Sequence, residues 1–290
     1  TRQPFGDDEG LAGVADRFGS AADPEMALRQ FLRVVEGCEG RLRAGLGADE
    51  AFRGRVIDVL GASEALGDFL VRDHASLDLL ADADRLTQPP SPVEARASLL
   101  RAVGAIPQSQ EPVAEAPAEG GSVADALRVA YRRWLLGIAV RDLSGLAGME
   151  SVAAWLSDLA DATLEAALAI ARHEVGKSAF TCRLAVIGMG KCGGRELNYI
   201  SDVDVIFVAE AADGCDESDA LRAASLLAAG LMRACSEVTA EGSIWEVDAA
   251  LRPEGKQGAL VRTLPSHLGY YERWASTWEF QALLKARFCA

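Results

Sequence analysis

Asp202 and Asp204 are separated by a single valine. In an extended strand, residues two apart point to the same face, so the two carboxylates project side by side. Just upstream, the apolar run Leu184-Ala-Val-Ile meets a glycine-rich turn at Gly188 and Gly190. A third acid, Asp248, falls on a later alternating segment, Ser243-Ile-Trp-Glu-Val-Asp-Ala-Ala-Leu251. Adjacent strands lie about 5 Å apart, so Asp248 can sit beside the first two acids. Three such carboxylates can hold two divalent cations about 3.5–4 Å apart, with nucleotide phosphates completing the shells. Octahedral oxygen coordination of this kind suits Mg²⁺. The backbone amides of 188–194 and Lys191 are candidates to cradle phosphate oxygens. Ser201 is a candidate phosphate contact, and Arg252 falls at the rim, where Pro253 and Gly255 turn the chain. Lys285 and Arg287 either face the same cleft or close a helix C-terminus favourably.

Each residue has a plainer explanation when taken singly. Asp202 can begin a strand, Asp204 can lie on a solvated face, and Asp248 can pair with Arg252. Lys191 can be a solvated turn lysine. The glycine turn, the two spaced acids and the third acid in this order favour metal binding. A dinucleotide fingerprint, Gly188-x-Gly190-x-x-Gly193, also fits, with Glu210 at about the spacing of a ribose-binding acid. It fails on length. A parallel crossover needs at least about a dozen residues, and Gly194–Ser201 supplies two turns at best. Two aspartates on a strand buried on both faces would also be costly unless paired. A P-loop fits less well, because Cys192 follows Lys191.

The chain of 290 residues carries a formal charge of −14 and a pI near 4.7. Such a field opposes phosphate polymers, and no basic patch offsets it, so nucleic acid is excluded as a partner. Six cysteines show no C-x-x-C pair and only three histidines accompany them, which argues against zinc and for reduced cytosolic thiols. No apolar run approaches the roughly 18–20 residues of a membrane span, and the N-terminal residues show no signal-peptide core. The expectation is a cytoplasmic protein. Heavy Ala and Arg use with little Lys is the composition of a high-GC bacterial chain.

The elements that must position these residues follow from periodicity. Residues 1–104 read as a helical subdomain, loose over 1–23. Asp23 caps a helix that begins at Pro24, and Met26, Leu28, Phe31, Leu32 and Val35 recur at helical spacing. Residues 105–122 carry three prolines and three glutamates and read as a flexible loop or linker. Residues 123–179 read as helices, one from a Ser122 cap to about Leu143 and two more near 148–175. Residues 180–290 read as the catalytic domain, with strands at 183–188, 203–209 and 243–251. Its helix at 217–240 turns Leu221, Ala224, Leu227, Leu231, Ala234 and Val238 inward, and helix returns from Pro265 to the end. That apolar end, Lys285-Ala-Arg-Phe-Cys-Ala, reads as a cut, and the chain as a fragment of a longer polypeptide.

The order of turn, paired acids and third acid resembles the DNA polymerase β-like nucleotidyltransferases. The wording is similar to the glutamine synthetase adenylyltransferase/adenylyl-removing family in three stretches. These are Gly-Met-Gly-Lys-Cys-Gly-Gly-Arg-Glu-Leu-Asn-Tyr-Ile-Ser-Asp-Val-Asp (188–204), Val-Asp-Ala-Ala-Leu-Arg-Pro-Glu-Gly (247–255) and Trp-Glu-Phe-Gln-Ala-Leu-Leu-Lys-Ala-Arg (278–287). The helical front resembles it more diffusely, at Phe69–His74 and Arg132–Leu143. Cys192 stands where the family commonly has leucine, and Phe280 where arginine is common. The resemblance implies an α+β fold, with a helical N-terminal subdomain before a nucleotidyltransferase domain built on a small mixed sheet. It implies Mg²⁺ at Asp202, Asp204 and Asp248, and adenine nucleotides and phosphate at Gly188, Gly190, Lys191, Ser201 and Arg252. It implies glutamine synthetase as protein partner and a PII-type signal protein as a further one. Family members carry two such domains, one removing AMP from an adenylylated tyrosine with phosphate to yield ADP, the other attaching AMP from ATP. Roughly 180 residues of helix before the glycine turn favour the removing half. Attachment of AMP and a catalytically degenerate sensing module are the alternatives.

Overall fold

The computed structural model describes residues 9–116 and 121–290, and it divides into two compact units. The first comprises residues up to Pro90 together with Arg132–Val152, and the second comprises Ser91–Tyr131 and Ala153–Ala290. These units differ from boundaries at 104/105 and 179/180. The long helices Val123–Leu143 and Met149–Val175 each contribute to both units, so no sequence boundary between helices marks the division.

The first unit is helical. Asp23 caps the helix Pro24–Ala48 by accepting from the Met26 amide at 2.9 Å, as its sequence implies. Asp49 ends that helix and caps the next, Glu50–Ala62, by accepting from Ala51 N at 2.8 Å. The inward stripe differs from the expected one. Ala27, Phe31 and Val34 are fully buried, whereas Leu28 and Leu32 face solvent. Phe31 meets Phe18 edge to face at 5.4 Å between ring centroids, the geometry that aromatic quadrupoles favour. Arg141 donates to the carbonyls of Gln88, Gly137 and Arg85, tying the end of helix Ala83–Thr87 to helix Val123–Leu143.

The second unit carries, among the described residues, a mixed sheet of five strands. Strands β1 (Cys182–Gly188) and β2 (Val203–Ala211) are antiparallel, from Cys182↔Ala211 to Gly188↔Val205. A dinucleotide-binding unit needs these two strands parallel, so the antiparallel pairing disposes of that reading. Helix Glu217–Ser236 provides the crossover that a parallel neighbour requires, and β3 (Val247–Asp248) then runs parallel to β2. Strand β4 (Val261–Arg262) pairs further along the same edge of β2, and β5 (Arg287–Phe288) pairs antiparallel with β1.

Several sequence expectations are corrected here. The helix expected to run to 240 stops at Ser236, and Val238 beyond it is exposed. The strand expected over 243–251 is two residues long, because its other residues bond irregularly. The two helices near 148–175 are one, Met149–Val175, uninterrupted by any proline or glycine. The chain end is not helical: beyond Leu283 it becomes β5, whose Cys289 N donates to Val186 O at 2.9 Å.

Residues 105–116 are also held more firmly than their composition suggests. Ala114 N donates to Ala169 O and Glu115 N to Val103 O, each at 3.0 Å. Arg96 and Arg172 donate to the carbonyls of Pro107 and Pro112, and Pro112 and Ala114 are buried. Residues 117–120 of that expected linker, and residues 1–8, lie outside the described residues. Among the described residues, no helix is long and apolar enough to cross a membrane.

Candidate metal and phosphate site

The site is built where β1 ends and β2 begins. After Gly188 the chain makes one short helical turn, Gly190–Gly193, and returns through 194–202 to β2. Met189 N donates to Asp204 O at 2.8 Å, tying the turn to β2 at Asp204, while Asp202 lies just before that strand and Asp248 on β3. Gly190 has a φ of +50°, in the left-handed region, and any Cβ there would collide with the Asp204 carboxylate. At Gly193 a Cβ would strike the carbonyl oxygens of Lys285 and Gly188. Of the three glycines, Gly190 thus admits the Asp204 carboxylate, while Gly188 and Gly193 admit the Cys289 sulfur and backbone carbonyls.

Asp204 and Asp248 are register partners on parallel strands. Their adjacency follows from Val203 N donating to Glu246 O at 3.0 Å just before the acids. Burial pushes the Asp204 carboxyl above its ordinary range, and the charges of Asp248 and Asp202 push it further, while Lys191 pulls it back. A half-buried carboxylate beside two others is an electrostatic debt that a cation relieves. Lys191, Ile200, Ser201, Asp202 and Asp204 line an open depression of about 350 Å³.

The oxygens of Asp202, Asp204 and Asp248 are adjacent without being drawn into one tight cluster. Among the described residues, the one group of three potential ligands within 4.8 Å of each other is Asp161, Cys192 and Cys289. That group is already satisfied otherwise. Arg287 grips Asp161 with two nitrogens, at 2.5 and 2.9 Å, and hydrogen bonding to Asp161 raises the guanidinium pKa. The like-charged trio, Asp202 exposed and Asp204 and Asp248 half-buried beside a Cβ-free cradle, is the better fit to a hard divalent ion.

Other expected contacts fall elsewhere. Arg252 points its guanidinium into its own loop, donating to the carbonyls of Ala249, Gly258 and Lys256. It thereby shapes the segment after Asp248, and a phosphate contact is not what its donors serve. Lys285 pairs with Glu196 at 2.6 Å, and Arg287 with Asp161 and the carbonyls of Cys192 and Gly193. Both brace the glycine turn, which removes them as open cations. The turn's amides are also partly committed, since Gly193 and Gly194 donate to Met189 and Gly190 carbonyls. Ser201 Oγ donates to Asp202 O at 3.1 Å and still lines the depression. Asp248 accepts from Ala250 N at 2.8 Å, fixing one carboxylate oxygen.

Sequence reasoning missed the supports on helix Met149–Val175. Asp158 pairs with Arg195, which has a left-handed φ of +58°, and Ser157 Oγ accepts from Leu197 N at 3.3 Å. No local pattern signals these, because their partners lie some forty residues away. Ile200 was also missed. At 94% exposure beside the acids it is an apolar residue without a packing role.

The sequence model of the glutamate-ammonia ligase adenylyltransferase family matches residues 53–290. A bifunctional glutamine synthetase adenylyltransferase/adenylyl-removing enzyme of Streptomyces avermitilis is 50% identical over 279 residues, covering 94% of this chain and 26% of the relative. The enzymes of the same description from Streptomyces coelicolor and Leifsonia xyli are 49% and 45% identical, over 94% and 93% of this chain. The chain spans about a quarter of the length of these relatives.

Proposed function

The chain belongs to the glutamate-ammonia ligase adenylyltransferase family, and from that premise we propose that it carries a nucleotidyltransferase site acting on adenylylated glutamine synthetase. The reaction is removal of AMP from a tyrosine by phosphate, yielding ADP. The observation that carries the reading is the pairing of Asp204 with Asp248, beside Asp202 and against the Cβ-free Gly190. The relatives' description, bifunctional in adenylyl transfer and removal, supports glutamine synthetase as the protein substrate.

Asp202, Asp204 and Asp248 would hold Mg²⁺, and the bound metal would supply charge neutralisation at the phosphate oxygens. The displacement is in line at the AMP phosphorus. A phosphate oxygen forms the new bond as the bond to the tyrosine oxygen breaks, and the leaving phenolate takes up a proton from solvent. Phosphate arrives ionised, so no general base is needed and Asp248 acts as a ligand. Lys191, which lines the depression, would meet phosphate oxygens. Ile200 offers the apolar lip against which a substrate can rest.

The test incubates this chain with adenylylated glutamine synthetase, Mg²⁺ and phosphate, and in parallel with unmodified glutamine synthetase, Mg²⁺ and ATP. Phosphate-dependent ADP release without AMP transfer is the expected result. Transfer from ATP without release reverses the direction, and neither reaction favours a binding role. A Mg²⁺ titration by calorimetry then tests whether the acids still hold metal.

A further inference from the structure

At the far end of β1 from the acids lies a second cavity, of about 320 Å³, within the range of small-molecule pockets. Its walls come from the 105–116 strap, helix Met149–Val175, the start of β1 and helix Glu217–Ser236, with Phe288 and Ala290 completing the lining. Cys182, in its wall, and Gly188, at the glycine turn, are the two ends of a seven-residue strand, about 20 Å apart. The cavity shares no lining residue with the depression beside the acids.

Its lining carries the guanidinium groups of Arg96, Arg172 and Arg183 and the carboxylates of Glu111 and Glu165, and Arg183 lies 3.9 Å from Glu210 and 3.7 Å from Asp213. Arg96 is consumed by Glu165, through two bonds at 2.6 and 2.5 Å. Arg172 has no such partner. Its Nη1 donates to Pro112 O at 3.2 Å, and among the described residues no carboxylate lies within 4.0 Å of it. Burial lowers its pKa from the ordinary guanidinium value, and the more distant Glu111 and Glu165 do not make up the loss. A largely buried cation facing a cavity without an ion-pair partner is a recognition element for an anion. The opposite wall is apolar, with Leu168 and Leu227.

We propose that this cavity binds a small organic monocarboxylate, its carboxylate on Arg172 and its hydrocarbon body over Leu168 and Leu227. Phosphate fits less well, because a dianion would face Glu111 and Glu165 and would leave the apolar wall unused. The site shares an element with the catalytic turn. Asp161, Glu165, Leu168 and Arg172 follow at helical spacing on one stripe, so the helix that braces Gly193 through Arg287 also lines the cavity.

The test titrates sodium hexanoate into the chain at constant ionic strength, read by amide NMR shifts and thermal stability, with inorganic phosphate and chloride in parallel. Saturable shifts at 165–172 and 182–184 are expected with hexanoate alone. Arg172→Gln should weaken binding about tenfold or more, the scale of a lost charge-assisted bond. Glu111→Gln, an exposed change that leaves folding intact, should tighten it roughly two- to fivefold by removing a like charge. Should R172Q fail to fold, E111Q decides alone. Hexanoate acting no differently from chloride overturns the proposal. So does tighter binding of phosphate, an undiminished affinity in folded R172Q, or an unchanged or weaker one in E111Q.

Discussion

The Asp204 carboxylate occupies the space that a side chain at Gly190 would need. Gly190 is also left-handed, with φ +50°. Both constraints act on one residue, so Gly190→Ala must either push Asp204 away or unwind the turn. We expect turnover to fall at least about a hundredfold, with a loss of roughly 1–2 kcal/mol in stability. Steady-state assays and urea unfolding check the two together. A G190A protein with normal turnover would show that the contact is incidental.

Asp204→Asn should separate activity from stability. The wild-type carboxylate is half-buried beside Asp248 and Asp202, a cost that the amide does not carry. Metal-free D204N should therefore be more stable than the wild type, while activity falls at least about a hundredfold. Unfolding in chelator gives the first quantity and the ADP-release assay the second. Lower stability of D204N without metal would count against the electrostatic account.

In the first unit, Asp73 sets an acid limit. Burial raises its carboxyl, but hydrogen bonds from Arg133 and Ser76 and the Arg133 charge outweigh it and hold the pKa below its ordinary value. A depressed carboxyl contributes stability above its unfolded pKa and loses it as pH falls through the folded one. The stability gap between wild type and Asp73→Asn should thus be full at neutral pH and close below about pH 4. Urea titrations across that range measure it. A gap that widened in acid would contradict the sign.

The strap at 105–116 should be protected. Ala114 and Glu115 donate their amides to the carbonyls of Ala169 and Val103. Native-state hydrogen exchange should show both amides slowed well beyond exposed loop rates, despite the prolines and glutamates around them. Exchange at random-coil rates would restore the flexible linker that the composition suggests.

How far the sequence alone reached is clearest at particular residues. Alternation implied a shared face for Asp202 and Asp204, though only Asp204 lies within β2, and the short span from Gly194 to Ser201 ruled out a crossover. Both conclusions rest on local geometry, which the backbone fixes within a few residues. Asp23 and Ser122 as caps were legible for the same reason. What the fold decided depends on groups far apart in the chain. Arg252 reads as a rim residue and Arg287 as facing the cleft or closing a helix, yet one folds onto its own loop and the other locks Asp161, 126 residues away. A long flexible cation carries no record in sequence of which acceptor it will find. The end of the chain became β5 because the free edge of β1 offered unpaired backbone groups, a demand set by the sheet and invisible in residues 287–288. The strap at 105–116 was ordered by carbonyls and amides of distant helices, whose partners no composition names.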